Sequence, residues 1–166
     1  MLAAEALTPT IRQARPDEMD TVRALFRTYL DHVAAPECFP SFEAELAALP
    51  GRFAPPEGCI LLAELGGEIA GVVALRQFQP DTGEVKRLFV LPAFHGRGLG
   101  RLLMNALLER ARAAGYQRLL LDTIPGRMDA AIALYRSLGF RETERYYDDP
   151  IPGILYMELL LAEPPG

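Results

Sequence analysis

The stretch Glu84-Val85-Lys86-Arg87-Leu88-Phe89-Val90-Leu91-Pro92-Ala93-Phe94-His95-Gly96-Arg97-Gly98-Leu99-Gly100-Arg101 decides how the chain is read. Val85, Leu88, Phe89, Val90 and Leu91 make a β-rich apolar run, so the stretch opens as a strand. Pro92 carries no amide donor and ends the ladder. Gly96, Gly98 and Gly100 punctuate a loop, and from Leu99 onward Leu102, Leu103, Ala106 and Leu107 recur at helical spacing. A strand thus runs through a glycine-rich turn into a helix N-terminus. Free N–H groups, the positive end of the helix dipole and the charges of Arg97 and Arg101 converge there, and glycine lets the backbone approach a bulky anion. The same residues also suit a tight turn that only packs helix on strand, and the run by itself leaves both readings open.

Two nucleotide-binding patterns compete for this loop. A Walker loop needs Gly-Lys-Ser/Thr where the chain has Gly100-Arg101-Leu102. A dinucleotide fingerprint needs two residues between its last glycines and an early βαβ unit, whereas Gly98 and Gly100 are one apart and lie past mid-chain. Asp122 sits at a plausible distance for its acidic residue, but both patterns fall behind.

Around that centre, 166 residues, half of them hydrophobic and 23% charged, describe one domain with a full core. No apolar run is long enough to span a membrane, and Met1-Leu2-Ala3-Ala4-Glu5 lacks a secretion signal's basic start. Cys38 and Cys59 are too few for a disulfide scaffold, or for a zinc site with two histidines, so no metal is expected and a reducing cytoplasm is the default. A formal charge of −5 argues against a nucleic-acid partner and favours cationic ligands.

Residues 1–9 read as a loosely held leader before a domain spanning 10–163. Thr10–Ala14 is a short strand, and Asp17 caps a helix whose apolar face is Met19, Val22, Leu25, Phe26, Tyr29, Leu30 and Val33. Pro36 and Pro40 interrupt it, and Ser41 opens a second short helix through Leu49. Cys59–Leu65 and Ile69–Phe78 form a hairpin about Gly66-Gly67. The central strand covers 84–91, and alternation puts Glu84, Lys86, Leu88 and Val90 on one face and Val85, Arg87, Phe89 and Leu91 on the other. The helix from Leu99 stops at Gly115. The strand Arg118–Thr123, a helix over 128–138 and strands over 140–147 and 154–161 complete the chain. No internal repeat appears.

The central stretch resembles the coenzyme A signature of the GNAT N-acetyltransferases, Arg/Gln-x-x-Gly-x-Gly/Ala after a strand ending in Val-x-Pro. Ala131-Ile132-Ala133-Leu134-Tyr135-Arg136-Ser137-Leu138-Gly139-Phe140 is similar to that family's A-x-x-L-Y-x-x-x-G-F helix. Two motifs in the right order are far more specific than either alone, and the resemblance runs from Ile11 to Leu161. It implies a mixed, mostly antiparallel α/β sheet with helices on both faces, and transfer of acetyl from acetyl-coenzyme A to an amine. It also implies that the backbone of Gly96, Arg97, Gly98, Leu99, Gly100 and Arg101 holds the pyrophosphate. Leu88, Phe89 and Val90 would pair with the pantetheine arm like a neighbouring strand. Tyr135 matches the tyrosine that donates a proton to the departing thiolate, against a packing role in the core. The early helices would form one acceptor wall.

The chain departs from the pattern at His95, where Gln or Arg is usual, and at Met128, where many relatives carry Asn. Glu84 is the candidate base, drawing the ammonium proton through a water, against a role as a strand-end charge paired with Lys86 or Arg87. Asp122 is second; alignment on Tyr135 puts Thr123 at the strand position where some relatives carry a carboxylate, so Asp122 is expected to face away. His32 and Cys59 read as structural. Tyr146, Tyr147, Asp148 and Asp149 are candidates for a cage around a cationic amine, against one packed and one exposed tyrosine at a strand end. The resulting expectation is a cytoplasmic N-acetyltransferase acting on the primary amine of a small molecule, with no nucleic-acid or membrane partner, and monomer or homodimer left open. A peptide or protein acceptor and a non-catalytic coenzyme A-sensing domain are the alternatives.

Overall fold

The computed structural model describes residues 8–33, 41–148 and 153–161. The elements run in the expected order: β1 (Thr10–Gln13), α1 (Met19–Val33), α2 (Phe42–Ala47), β2 (Cys59–Leu65), β3 (Glu68–Gln79), β4 (Thr82–Val90), α3 (Leu99–Ala113), β5 (Arg118–Thr123), α4 (Asp129–Ser137), β6 (Arg141–Glu142) and β7 (Leu155–Leu160). The seven strands form one sheet in the order β1-β2-β3-β4-β5-β7-β6. Every neighbouring pair is antiparallel except β4 and β5.

The sheet is buried on both faces, which is why β2 reads as an unbroken apolar run. Cys59, Leu61 and Ala63 point into a core with Leu103, Met104 and Leu107 of α3 and Tyr135 of α4. Ile60 and Leu62 point into a second core with Val22, Phe26 and Tyr29 of α1 and Phe42 and Leu46 of α2. The start of α1 differs from expectation. A 3-10 turn, Pro16–Glu18, precedes the helix, and Glu18 rather than Asp17 caps the entry by accepting the Arg15 amide at 2.8 Å.

Two departures from regular pairing shape the centre. On β4 the register against β3 slips between Lys86, opposite Ala74, and Phe89, opposite Val72. Arg87 sits at this bulge with φ +61°, a conformation that costs a non-glycine residue roughly 1–2 kcal/mol and that bulges accommodate. The bulge overturns the alternation expected from sequence. Arg87 joins the α1/α2 side, where its guanidinium lies 5.8 Å from the Phe26 ring centroid, and Phe89 packs in the same core. Val85 and Leu88 pack on the α3/α4 side.

The second departure is a split. β4 and β5 pair only at Thr82–Arg118, Gly83–Leu119 and Glu84–Leu120. Beyond Glu84, β4 follows β3 while β5 continues along β7 through Thr123. The β5-facing edge of β4 from Val85 to Val90 is thereby not paired to β5. The strand expected over 140–147 is also shorter: β6 holds only Arg141–Glu142, followed by one bond from the Thr143 amide to the Tyr156 carbonyl at 2.8 Å. The chain leaves the ladder there, and Tyr146 and Tyr147 turn back toward the split.

Candidate active site

Three neighbouring cavities fill and flank the split, the smallest sharing Leu88 and Met128 with one and Lys86 and Arg87 with the other. The largest, about 620 Å³, is lined by Leu88, Phe89 and Val90 of β4, by His95, Gly96, Gly98, Leu99, Gly100 and Arg101 of the loop and α3, and by residues 127–131 and Leu134. Most of the residues expected to hold the coenzyme therefore share one cleft. Gly98 precedes α3 with φ +76° and Gly100 lies in its first turn. A Cβ at Gly100 would stand 3.3 Å from Leu134 Cδ2, so this glycine lets α3 and α4 close together beside the cleft. The first-turn amides of a helix have no partner within it, and a cleft ending on them is a cradle for an anion. The residues present therefore fit a coenzyme whose pyrophosphate meets main-chain donors.

The arginines of the loop behave differently from expectation. Arg97 is exposed and outside the cleft lining. Arg101 lines it, but its guanidinium also donates to Ser137 Oγ at 2.7 Å and so ties α3 to α4. His95, a departure from the Gln or Arg of the family pattern, folds back so that Nε2 lies 2.8 Å from the Val90 carbonyl. What the loop offers an anion is thus chiefly main chain, with Arg101 the one loop arginine in the lining. His32 is not merely structural in position: it lines the cleft and its ring lies 5.4 Å from that of Phe89.

At the apex of the split lies a small cavity of about 20 Å³ lined by Val85 to Leu88 of β4, Asp122 and Thr123 of β5, Tyr135 and Met128 at α4, and Tyr29 of α1. Tyr135 is buried, and desolvation, with smaller contributions from Tyr29 and Asp122, raises its pKa well above the ordinary tyrosine value. It stays a protonated donor at any physiological pH. Asp122 does not face away, contrary to the alignment-based expectation. It lines this cavity, accepts from the Tyr147 hydroxyl, and lies 3.3 Å from Lys86 Nζ. The neighbouring Thr123 hydroxyl instead lies 3.6 Å from Met128 Sδ.

On the other side of the apex a third cavity, about 380 Å³, runs under α2. Glu84 lines this cavity rather than the apex. Its side chain is 3% exposed; one oxygen accepts Arg76 Nε at 2.8 Å and the other the Tyr146 hydroxyl at 2.7 Å. Burial pushes this carboxyl up, but the Lys86 and Arg76 charges and the two hydrogen bonds outweigh it, leaving its pKa below the ordinary value. A carboxylate so held is a weak base. Its geometry is that of a structural ion pair, although the partner is chiefly Arg76 across the hairpin rather than Arg87.

Nor do Tyr146 and Tyr147 form an open cage. Their rings stack edge-to-face on each other at 5.1 Å and on Tyr156 at 5.3 and 5.5 Å, and their hydroxyls hold Glu84 and Asp122. Asp148 points to solvent and pairs with Arg145 at 2.9 Å. Asp149 lies outside the described residues. Sequence reasoning missed Arg76, Glu45 and Tyr29, and cast Lys86 and Arg87 only as partners of Glu84. Arg76 alone had a readable signal, since a hairpin closing at Thr82 sets it opposite Glu84.

With this geometry, comparison with known proteins is specific. Residues 19–140 match the model of the acetyltransferase (GNAT) family, and the chain belongs to that family. An uncharacterized N-acetyltransferase of Schizosaccharomyces pombe is 35% identical over 150 residues, covering 89% of this chain and 91% of the relative. Human N-acetylaspartate synthetase is 37% identical over 110 residues, covering 66% of this chain. The chain spans only 35% of that relative's length. The PaiA N-acetyltransferase of Thermoplasma acidophilum, solved in complex with coenzyme A, shares the fold with a TM-score of 0.73 at 13% identity, covering 93% of this chain and 99% of that one. As a member of this acetyltransferase family, the protein is an acyltransferase with acetyl-coenzyme A as its co-substrate. Among the described residues no group of three His, Cys, Asp or Glu side chains is arranged to hold a metal, and no helix is long and apolar enough to cross a membrane.

Proposed function

We propose that the protein transfers acetyl from acetyl-coenzyme A to the primary amine of a small molecule. The observation that carries this reading is the junction at the apex, where a cleft of about 620 Å³ and a cavity of about 380 Å³ approach one another across Tyr135, Asp122 and Lys86. The relative named N-acetylaspartate synthetase, whose name specifies a small-molecule product, supports the choice of acceptor size. The co-substrate supplies an activated acetyl thioester. Residues Gly96 to Arg101 hold its pyrophosphate by backbone amides, and Leu88 to Val90 offer the unpaired edge of β4 to its extended arm. A main-chain donor on that edge polarises the thioester carbonyl. Tyr135 donates its proton to the leaving sulfur.

The amine must lose a proton before or as it attacks. Asp122 is better placed to take it than Glu84, because it lines the apex and is more accessible, 19% against 3% for the side chain. Glu84 acts as a positioning residue that fixes Arg76 and Tyr146. The direct test is release of free thiol from acetyl-coenzyme A on adding primary amines. Asp122→Asn is expected to lower kcat by roughly 10²-fold and move the rate maximum to higher pH, where free amine forms unaided. Binding of the coenzyme with no thiol release for any amine would identify a sensing domain instead.

A further inference from the structure

The chain carries a net charge of −5, yet its acceptor-side cavity is lined by Arg52, Arg76, Lys86 and Arg87 against Glu45 and Glu84. Four cations thus face two carboxylates. The local field is opposite in sign to that of the whole chain, and it is the local field that a bound acceptor feels.

The cations are not equally engaged. Lys86 lies between Asp122 at 3.3 Å and Glu84 at 3.7 Å, and Arg87 holds both oxygens of Glu45 at 3.0 and 2.8 Å. Arg76 gives Nε to Glu84, while its Nη1 is 3.8 Å from Glu45, beyond hydrogen-bond reach. Arg52 gives Nη2 to the Gln77 carbonyl at 2.8 Å. Among the described residues these are the hydrogen bonds of the Arg76 and Arg52 guanidinium groups, and they leave donor N–H groups on each. Both side chains line the third cavity and also its continuation of about 320 Å³ beneath α2.

We infer that the acceptor is an aminocarboxylate, whose carboxylate is seated by Arg52 and Arg76 while its amine points to Asp122 at the apex. This deepens the proposed acetyl transfer and rests on it. A guanidinium fork matches a carboxylate in plane and donor spacing. A simple alkylammonium ion entering the same cavity meets four cations against two carboxylates and gains nothing from the two arginines. A zwitterion is complementary at both ends, carboxylate to Arg52 and Arg76 and ammonium to Asp122. The acceptor end distant from the reacting atoms is then the part that selects it.

The experiment pairs aminocarboxylates from glycine to 6-aminohexanoate with n-alkylamines of the same chain length. Thiol release is measured from acetyl-coenzyme A, and calorimetric binding is measured to the protein saturated with coenzyme A. The expected result is that at least one aminocarboxylate exceeds its matched amine in kcat/KM by roughly tenfold or more, the order of a charge-assisted hydrogen bond. This preference falls in Arg52→Gln, an exposed position that leaves the Arg76–Glu84 pair in place. Alkylamines that equal or exceed the aminocarboxylates in turnover overturn the inference while leaving acetyl transfer standing. If no amine releases thiol, binding decides. Aminocarboxylates that bind and weaken in Arg52→Gln sustain the charge assignment and overturn acetyl transfer, and no binding overturns the assignment.

Discussion

The two sides of the split sheet are built by opposite means. The cleft proposed for the coenzyme is made of main chain: a strand edge not paired to β5, a glycine-rich turn and a helix N-terminus, with Leu88, Phe89 and Leu99 as apolar walls. The cavity proposed for the acceptor is made of charged side chains from α2, the 3-10 turn at Gly51–Phe53, β3 and β4, held by ion pairs and by the two tyrosines. Main-chain recognition is tied to local sequence, because glycine spacing and a strand-to-helix boundary produce it. Side-chain recognition depends on residues far apart in the chain, and no short motif contains it.

The largest effect comes from filling the cradle. Gly98→Leu or Gly100→Leu should abolish the rise in melting temperature that coenzyme A gives by binding only the folded protein. At Gly98 the positive φ adds a strain of roughly 1–2 kcal/mol, so the free variant's own melting temperature serves as the baseline. A full ligand shift in both variants would place the cofactor elsewhere.

On the acceptor side, breaking the buried pair should show first as lost stability. Glu84→Gln takes from Arg76 its hydrogen-bonded carboxylate and from Lys86 one of its two, and is expected to cost about 3 kcal/mol at neutral pH. Because the folded-state pKa of Glu84 is lowered, this contribution is fully present above the ordinary carboxyl value of about 4.3. It fades as pH falls through the lower folded value. The gap between wild type and variant in chemical denaturation should therefore close in acid. A constant gap from pH 7 to pH 2 would show that charge is not its origin.

Tyr135 stands where the two sides meet. Tyr135→Phe keeps the ring packed against Phe140, 5.7 Å away, and removes the proton. It should lower kcat by roughly 10²-fold at unchanged coenzyme affinity. Full activity would return Tyr135 to a packing role. The smallest effect belongs to Asp148, which faces solvent beside Arg145. Asp148→Asn should change stability by no more than about 0.5 kcal/mol and leave the acceptor KM where it was; a raised KM would revive the loop as a cation site.

The same contrast explains what was legible in the sequence. The order of strands and helices, the coenzyme loop and the Tyr135 helix could all be read, because each follows from local periodicity and turn chemistry. The β4 bulge could not, since Lys86-Arg87-Leu88 looks like ordinary alternation until β3 imposes its register. That one slip moves Arg87 onto the α1/α2 side. Asp122 was misplaced for a related reason: the split between β4 and β5 decides which β5 side chains meet the apex, and no motif encodes it. The tyrosines were given other partners than the structure shows, because adjacency to Asp148 in sequence concealed their hydroxyl bonds to Glu84 and Asp122.

The claim that main chain holds the coenzyme and side chains hold the acceptor is tested most directly by amide hydrogen exchange with and without coenzyme A, which needs no variant and no turnover. The account predicts slowed exchange in peptides covering Leu88–Val90 and Gly96–Arg101, with Arg76 to Glu84 and the Tyr146–Tyr147 segment unchanged. Protection confined to Arg76–Glu84 and Tyr146–Tyr147, with the glycine loop unaffected, would contradict it.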